Sequence, residues 1–121
     1  MKIYVGHSTS YDFKNELYTP LKKSNLNKVH ELTFPHDNEL ELFNSKDFLK
    51  NNAELMIAEV SHPSFGLGIE MGWANLNNVK IICVYKTGIK ISNALKAVSN
   101  TILNYSNGEE LIKKLENELV K

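Results

Sequence analysis

The stretch Ile57-Ala58-Glu59-Val60-Ser61-His62-Pro63-Ser64-Phe65-Gly66-Leu67-Gly68-Ile69-Glu70-Met71-Gly72-Trp73-Ala74 decides the fold, because an apolar strand pattern ends in a polar loop and a helix follows. Gly66 and Gly68 can adopt positive φ and let a ligand approach the backbone closely. We expect the helix to begin at Gly68, so that its unpaired N–H groups favour an ionised Glu70. An ionised carboxylate can act as a nucleophile. The stretch therefore indicates a sugar or phosphate site with a nucleophilic acid at its rim.

The spacing of the two glycines is by itself equally typical of a tight strand-to-helix turn that binds nothing. The apolar residues that follow favour a site. Ile69, Trp73 and Leu76, together with Gly72, recur at helical spacing and are predicted to face the sheet. Glu70 would then lie beside a buried stripe, where a carboxylate loses hydration unless it has a partner or a chemical task.

Composition limits the class of protein. A chain of 121 residues with 42% apolar residues is large enough for one domain with its own core. Fourteen basic and fourteen acidic residues cancel without forming a basic run, which argues against a nucleic-acid polymer as partner. All fourteen basic residues are lysines, so a phosphate would be held by backbone N–H groups, hydroxyls or lysine.

Other sequence features predict absences. Neither a signal-peptide pattern nor an apolar run of about 18 residues is present, which predicts a cytoplasmic protein without membrane contact. No pair of histidines has metal-ligand spacing with a third ligand, so we expect neither a metal nor another cofactor. The only cysteine, Cys83, lies in an apolar run and is predicted to be a core residue.

Strand patterns alternate with helical patterns along the whole chain. We predict strands at 2–6, 29–34, 54–60, 79–85 and 101–105. The first predicted helix spans 11–23, with a kink or new start at Pro20, and the second runs from a cap at Ser45 to about 52. Three more helices are predicted at 68–76, from about Ser92, and after the capping box that begins at Ser106. Glu39 and Glu41 are predicted to belong to a solvated face.

This alternation predicts an α/β fold of the Rossmann-like or flavodoxin-like type that occupies residues 1–121 as a single domain. The sheet is expected to have five parallel strands in the order 2-1-3-4-5, with helices on both faces. Right-handed crossovers then bring the polar turns at 7–10, 35–37, 61–68 and 86–92 to one edge, which is where open α/β sheets bind ligands.

With these residues identified, the chain resembles the nucleoside 2-deoxyribosyltransferase superfamily, and within it the small branch that includes 2′-deoxynucleoside 5′-phosphate N-hydrolases. The resemblance rests on Lys2-Ile3-Tyr4, on Ala58-Glu59-Val60-Ser61 through Ala74, and on a hydroxyl-bearing turn after the fourth strand. It implies that Glu70 attacks the anomeric carbon of the sugar and displaces the base. Water or another base then resolves the glycosyl-enzyme.

The resemblance also implies roles for other side chains. Tyr4 would orient Glu70, and Ser64, helped by Ser8 and Ser10, would bind the 5′-phosphate or 5′-hydroxyl of a nucleoside or nucleotide. Ser92 would reach into the neighbouring subunit's site, which implies a homodimer. The family's acid for proton transfer to the base falls at Lys46, and Asp47 beside it is the candidate substitute. The predicted substrate-binding set is completed by crevice-loop residues: His36, Ser61, Gly66 and Gly68.

Two functions remain open on the sequence. The first is an enzyme that cleaves or transfers the N-glycosidic bond of a (deoxy)nucleoside or its 5′-monophosphate through Glu70. The second is a non-catalytic nucleotide-binding sensor on the same fold, favoured by Lys46 in place of the acid and by the absence of arginine. Glu59, at the end of an apolar strand, either pairs with a turn N–H or a lysine, or serves as a second site carboxylate.

Overall fold

A computed structural model describes residues 1–38 and 43–120 of the chain. They form a five-stranded parallel sheet in the order β2-β1-β3-β4-β5, as the sequence predicted. The strands are β1 (Lys2–His7), β2 (Glu31–Thr33), β3 (Leu55–Glu59), β4 (Lys80–Lys86) and β5 (Thr101–Tyr105). The predicted solvated face at Glu39 and Glu41 lies outside the described residues.

Helices connect the strands and cover both faces of the sheet. A π-helical turn (Lys14–Tyr18) leads into α1 (Thr19–Lys23), and the later helices are α2 (Leu26–Val29), α3 (Ser45–Asn51), α4 (Phe65–Leu76), a 3₁₀ turn (Asn93–Ala97) and α5 (Gly108–Leu119). Pro20 is the second residue of α1, which fits the predicted new start. No helix of the described part of the chain is long and apolar enough to cross a membrane.

Side chains alternate between two core clusters, one on each face of the sheet. Ile3 and Val5 of β1 belong to the first cluster, with residues of α1 and α5, whereas Tyr4 between them belongs to the second, with residues of α3 and α4. Because the side chains of a strand alternate in direction, one strand supports both layers. Tyr4 is fully buried in this arrangement.

Helix α4 begins three residues earlier than predicted. It starts at Phe65 after the N-cap Ser64, whose hydroxyl accepts a hydrogen bond from the backbone N of Leu67 at 3.3 Å. Gly66 and Gly68 therefore lie inside the helix, and neither has the positive φ that their loop interpretation implied; the positive-φ glycine of the described residues is Gly88. Glu70 falls in the second turn, beyond the reach of the helix dipole's N-terminal end.

The predicted buried stripe of α4 was wrong for Ile69 and Leu76, whereas Trp73 is half-buried and packs against the second core cluster. Leu67, Met71 and Ala74 face the sheet, whereas Ile69 and Leu76 are 54% and 80% exposed. The mistake comes from the high apolar content of this helix, which allows two stripes at helical spacing and does not say which one meets the sheet.

Two helix caps differ from the prediction by one residue. Asn44, not Ser45, caps α3 by accepting from the backbone N of Asp47. Asn107, not Ser106, caps α5 by accepting from the backbone N of Glu110. Both asparagines satisfy N–H groups that would otherwise lack partners, and the change leaves the Ser45 hydroxyl available for the contact described below.

His7 joins the loops that follow β1 and β2. The ring accepts a hydrogen bond from the Tyr18 hydroxyl at Nε2 (2.6 Å) and donates one from Nδ1 to the Ser8 carbonyl (2.8 Å). The Tyr18 oxygen in turn accepts from the backbone N of His36 at 3.0 Å. Burial lowers the pKa of His7 to about 4, so the ring is neutral and keeps this tautomer at neutral pH.

The neutral His7 makes stability dependent on pH. Below a pH of about 6.5, His7 binds a proton in the unfolded chain but not in the native protein. The free energy of unfolding should therefore fall as the pH falls towards 4. We expect His7 to account for a loss on the order of 2 kcal/mol between pH 7 and pH 4.5. Urea unfolding of the wild type and of His7→Gln at both pH values measures this share of the loss. The carboxylates contribute equally to both proteins, so the difference between the two losses belongs to His7. His30→Gln, at a histidine bound to the N-terminal amine, is the control and should retain the full loss. Equal pH dependence in wild type and His7→Gln would contradict the assignment.

Candidate active site

A hydrogen bond from Tyr4 to Glu70 forms the centre of the candidate site. The Tyr4 hydroxyl donates to Glu70 Oε2 at 2.6 Å, and Ser45 Oγ lies 2.7 Å from the same hydroxyl. Because the only proton of Tyr4 goes to the carboxylate, Ser45 donates to Tyr4. Strand β1 and the helices α3 and α4 thus meet at the Tyr4 hydroxyl.

The environment keeps this arrangement in one protonation state at Tyr4. Burial, and then the negative charge of Glu70, raise the pKa of Tyr4 well above its usual value. The hydroxyl therefore stays protonated and acts as a donor that holds Oε2. The described residues offer no hydrogen bond to Oε1, so this oxygen is the one available to attack an electrophile.

The Glu70 carboxylate opens into a cavity of about 510 Å³ between α3 and α4. Its walls combine aromatic rings with polar groups. The lining residues are Phe43, Asn44, Ser45, Lys46, Gly66, Ile69, Glu70 and Trp73. A half-buried carboxylate beside aromatic and apolar walls is suited to a ligand with a planar ring and an electrophilic carbon next to it.

The two candidates for proton transfer lie in different places. Lys46 lines the cavity of Glu70, whereas the side chain of Asp47 is exposed and accepts a hydrogen bond from the Asn51 amide at 2.7 Å. Asp47 is not among the residues that line this cavity. Its position follows from the Asn44 cap, which fixes the first turn of α3 in a register that places Lys46, and not Asp47, in the lining of this cavity.

A second cavity, of about 210 Å³, lies on the other side of α4 and shares no lining residue with the first. It brings together four of the predicted substrate-binding residues: Ser61, Ser64, Gly68 and Ser92. Lys90, which the sequence did not single out, adds a positive charge to it. Ser64 and Ser92 accept backbone hydrogen bonds as helix caps, which leaves the proton of each hydroxyl for a ligand.

Ser61 is used differently, because its hydroxyl donates to Glu59 Oε2 at 3.0 Å and accepts from the backbone N of Lys86 at 2.8 Å. Its backbone N also donates to Glu59 Oε1, at 2.6 Å. Of the roles open to Glu59 on the sequence, pairing with a turn N–H is therefore confirmed.

The remaining predicted residues follow β1 and β2 at the same edge of the sheet. Ser8 is buried and its hydroxyl lies 2.9 Å from the hydroxyl of Ser10, which is exposed. His36 is exposed, and its ring packs 5.3 Å from the ring of His7. Parallel strand ends therefore gather these groups near one edge, although neither cavity described above includes them.

Comparisons with known proteins give two likenesses, although no family model matches the chain. The chain is 32% identical over 72 residues to "Putative 2′-deoxynucleoside 5′-phosphate N-hydrolase 1" of Syntrophotalea carbinolica, which covers 57% of this chain and 51% of that protein. The chain thus spans about half the length of the curated relative it matches. The structure is similar to that of the Clostridium botulinum CMP N-glycosidase BcmB, with a TM-score of 0.70 and 25% identity over 96% of this chain and 99% of that one. These likenesses confirm the resemblance to the nucleoside 2-deoxyribosyltransferase superfamily and to its N-hydrolase branch.

Proposed function

We propose that the protein cleaves the N-glycosidic bond of a (deoxy)nucleoside 5′-monophosphate, with Glu70 as the nucleophile. The observation that carries the proposal is the Glu70 carboxylate, which Tyr4 holds through one oxygen at the wall of a ligand-sized cavity. The names of the two similar proteins, an N-hydrolase and an N-glycosidase, support the same reaction class.

The reaction proceeds in two steps. Glu70 Oε1 attacks the anomeric carbon, the bond from that carbon to the base nitrogen breaks, and the base leaves with the electron pair. Positive charge that develops on the sugar is stabilised by the carboxylate. Water then attacks the same carbon and frees Glu70, or a second base does so in a transfer reaction. The hydrogen bond from Tyr4 keeps the carboxylate oriented during both steps.

Substitution of the nucleophile tests the enzyme directly. Glu70→Gln has the same shape but cannot form the glycosyl ester, so release of free base from CMP and 2′-deoxynucleoside 5′-monophosphates should fall by roughly three orders of magnitude or more. Asp47→Asn should cost less than about tenfold, because Asp47 does not line the cavity of Glu70. Thermal melting is the fold control for both variants, and a normally folded Glu70→Gln that cleaves at the wild-type rate would rule out the proposed nucleophile.

The sensor hypothesis keeps one specific observation in its favour. From α3 the cavity of Glu70 is lined by Lys46, at the position where the family has its acid, and the nearby Asp47 is engaged elsewhere. A wild type that releases no base but whose melting temperature rises with CMP would establish binding without catalysis. Mass spectrometry of the intact protein after mixing with the same nucleotides would detect a glycosyl adduct and so favour the enzyme.

The second cavity supports binding of the 5′-phosphate. It is lined by the hydroxyls of Ser64 and Ser92 and by the ammonium of Lys90. Both hydroxyls accept hydrogen bonds from the backbone, so their protons can be donated to a phosphate. In a chain without arginine, lysine is the residue that supplies full positive charge to a phosphate. The narrow cavity lies beside the first turn of α4, whose N–H groups also favour an anion.

Removal of this charge should discriminate between substrates. Lys90→Met should raise KM for a nucleoside 5′-monophosphate roughly 10- to 100-fold, since a charge-assisted hydrogen bond is lost, and should leave KM for the matching nucleoside unchanged. Lys96→Met, at a lysine of the adjacent 3₁₀ turn that does not line the cavity, is the matched control. Equal changes for nucleotide and nucleoside would place the phosphate elsewhere.

We further propose that the protein is a homodimer that associates through the outer face of α4. This face carries three exposed apolar side chains, Phe65 (96% exposed), Ile69 (54%) and Leu76 (80%). Between them lie Gly68 and Gly72, where an added Cβ would meet nothing within 4 Å. An apolar helix face with small residues at its centre allows a second helix to pack closely.

Light scattering tests the dimer. The wild type should give about 27.6 kDa, twice the 13.8 kDa of one chain. Leu76→Asp should give the monomer mass, because a charge within an apolar interface has no partner. Val120→Asp places the same charge on a residue that is 83% exposed directly after α5, and should leave the mass at that of the dimer. A wild type that scatters as a monomer at micromolar concentration contradicts the proposal.

A further inference from the structure

Glu59 is a buried carboxylate that the proposed reaction does not use. It is the last residue of β3, has no exposed surface, and lies on the sheet face of Ile57, opposite the face that carries Tyr4 and the Glu70 cavity. Burial of a carboxylate is costly unless hydrogen bonds replace its hydration. An apolar residue would fill the same position in a strand that is otherwise fully apolar.

The hydrogen bonds of Glu59 come mainly from one loop residue. Ser61 donates twice, from its backbone N at 2.6 Å and from its hydroxyl at 3.0 Å, and the Tyr105 hydroxyl donates to the same oxygen as the Ser61 hydroxyl. The nearby cation does not take part, because Lys86 Nζ pairs with Glu16. The carboxylate therefore acts as an acceptor for a turn, and not as half of an ion pair.

This turn is held at several points. The Ser61 hydroxyl also accepts from the backbone N of Lys86, which ties the end of β3 to the end of β4. The next residue, His62, stacks on Tyr11 with ring centroids 4.7 Å apart, which joins the turn to the loop after β1. Two residues further on, Ser64 caps α4 through hydroxyl and carbonyl bonds to the backbone N of Leu67 and Gly68.

The turn 61–64 therefore forms one wall of the second cavity and also sets the start of the helix that carries Glu70. We propose that Glu59 is a positioning residue that fixes this wall through Ser61 and so determines the affinity for the nucleotide. The inference rests on the proposed function. It concerns the chain of contacts from Glu59 to Ser64 and assigns Glu59 no contact with substrate.

The Glu59→Gln variant tests it, because the amide keeps the size of the side chain and its oxygen still accepts from the Ser61 backbone. Its NH₂ group replaces the oxygen that accepts from the hydroxyls of Ser61 and Tyr105, so both hydroxyl protons lose their acceptor. We expect KM for the 5′-monophosphate that the wild type cleaves best to rise about tenfold, with kcat within threefold of the wild type. Ser61→Ala should raise KM at least as much, because it also removes the acceptor of the Lys86 backbone N–H, and the double variant should be no worse than Ser61→Ala, since both substitutions break the bond between Glu59 and Ser61.

Two phenylalanine variants separate positioning from stability. Tyr105→Phe removes a donor to Glu59 that lies outside the turn and should lower the melting temperature with little change in KM. Tyr11→Phe removes a buried hydroxyl for which the described residues offer no hydrogen-bond partner, and should change neither quantity. A Glu59→Gln protein with a lowered melting temperature but an unchanged KM would overturn the inference, as would additive effects of Glu59→Gln and Ser61→Ala. Ser61→Ala alone decides the case if Glu59→Gln does not fold.

A failure of the inference can be told apart from a failure of the proposed function. If the wild type cleaves CMP or a 2′-deoxynucleoside 5′-monophosphate, the kinetic comparison applies as stated. If the wild type releases no base, calorimetric titration with CMP and dCMP gives Kd values for the same variants. A tenfold weaker Kd in Glu59→Gln then supports the positioning role without catalysis, and an unchanged Kd refutes it.

Discussion

The buried hydroxyl of Tyr4 connects the sheet to the two helices that cover its second face. Its hydrogen bonds to Glu70 and Ser45 satisfy a polar group in an otherwise apolar cluster and fix how α4 and α3 lie against β1. Replacement of Tyr4 by an apolar residue would take a hydrogen-bond partner from Glu70 and from Ser45 at once. The same bonds orient the Glu70 carboxylate, so the core and the candidate nucleophile depend on one interaction.

Glu59 and Glu70 illustrate how environment separates two carboxylates only eleven positions apart. Glu59 lies on a strand, is fully buried, and accepts three hydrogen bonds that use both of its oxygens. Glu70 lies on a helix, is half-buried, and accepts from Tyr4 through Oε2 at the wall of a cavity. A carboxylate with every oxygen engaged is suited to holding structure, and one with an oxygen available is suited to chemistry.

The fold could be predicted from the sequence because its signals are periodic and redundant. Five apolar strand runs separated by helical stretches specify a parallel sheet, and the predicted order 2-1-3-4-5 is confirmed. The pairing of Tyr4 with Glu70 was predicted from the resemblance and agrees with the geometry, whereas the contact with Ser45 was missed. Tyr4 and Ser45 are 41 positions apart, and no periodicity in the sequence relates them.

The errors around α4 have a physical reason that bears on function. Gly66 and Gly68 were interpreted as residues that can adopt positive φ at the entry to a helix beginning at Gly68, yet the cap at Ser64 and the burial of Leu67 and Met71 place both inside α4. Glycine within a helix costs stability. At Gly68 and Gly72 the missing side chain leaves the exposed face of the helix accessible to a ligand or a second chain, which gives a reason for glycine at these helical positions.

Because of the orientation of α4 about its own axis, three sides of the helix have different surroundings. Leu67, Met71 and Ala74 face the core, while Phe65 and Leu76 face outward, and Glu70 lies on the flank between them. Ile69 belongs to the outward face and also lines the Glu70 cavity. A second subunit seated on the outward face would therefore cover Ile69 and narrow the opening to Glu70. Exclusion of water from a glycosyl-enzyme favours transfer to another base over hydrolysis, so the closeness of that contact would influence which of the two reactions follows the first step.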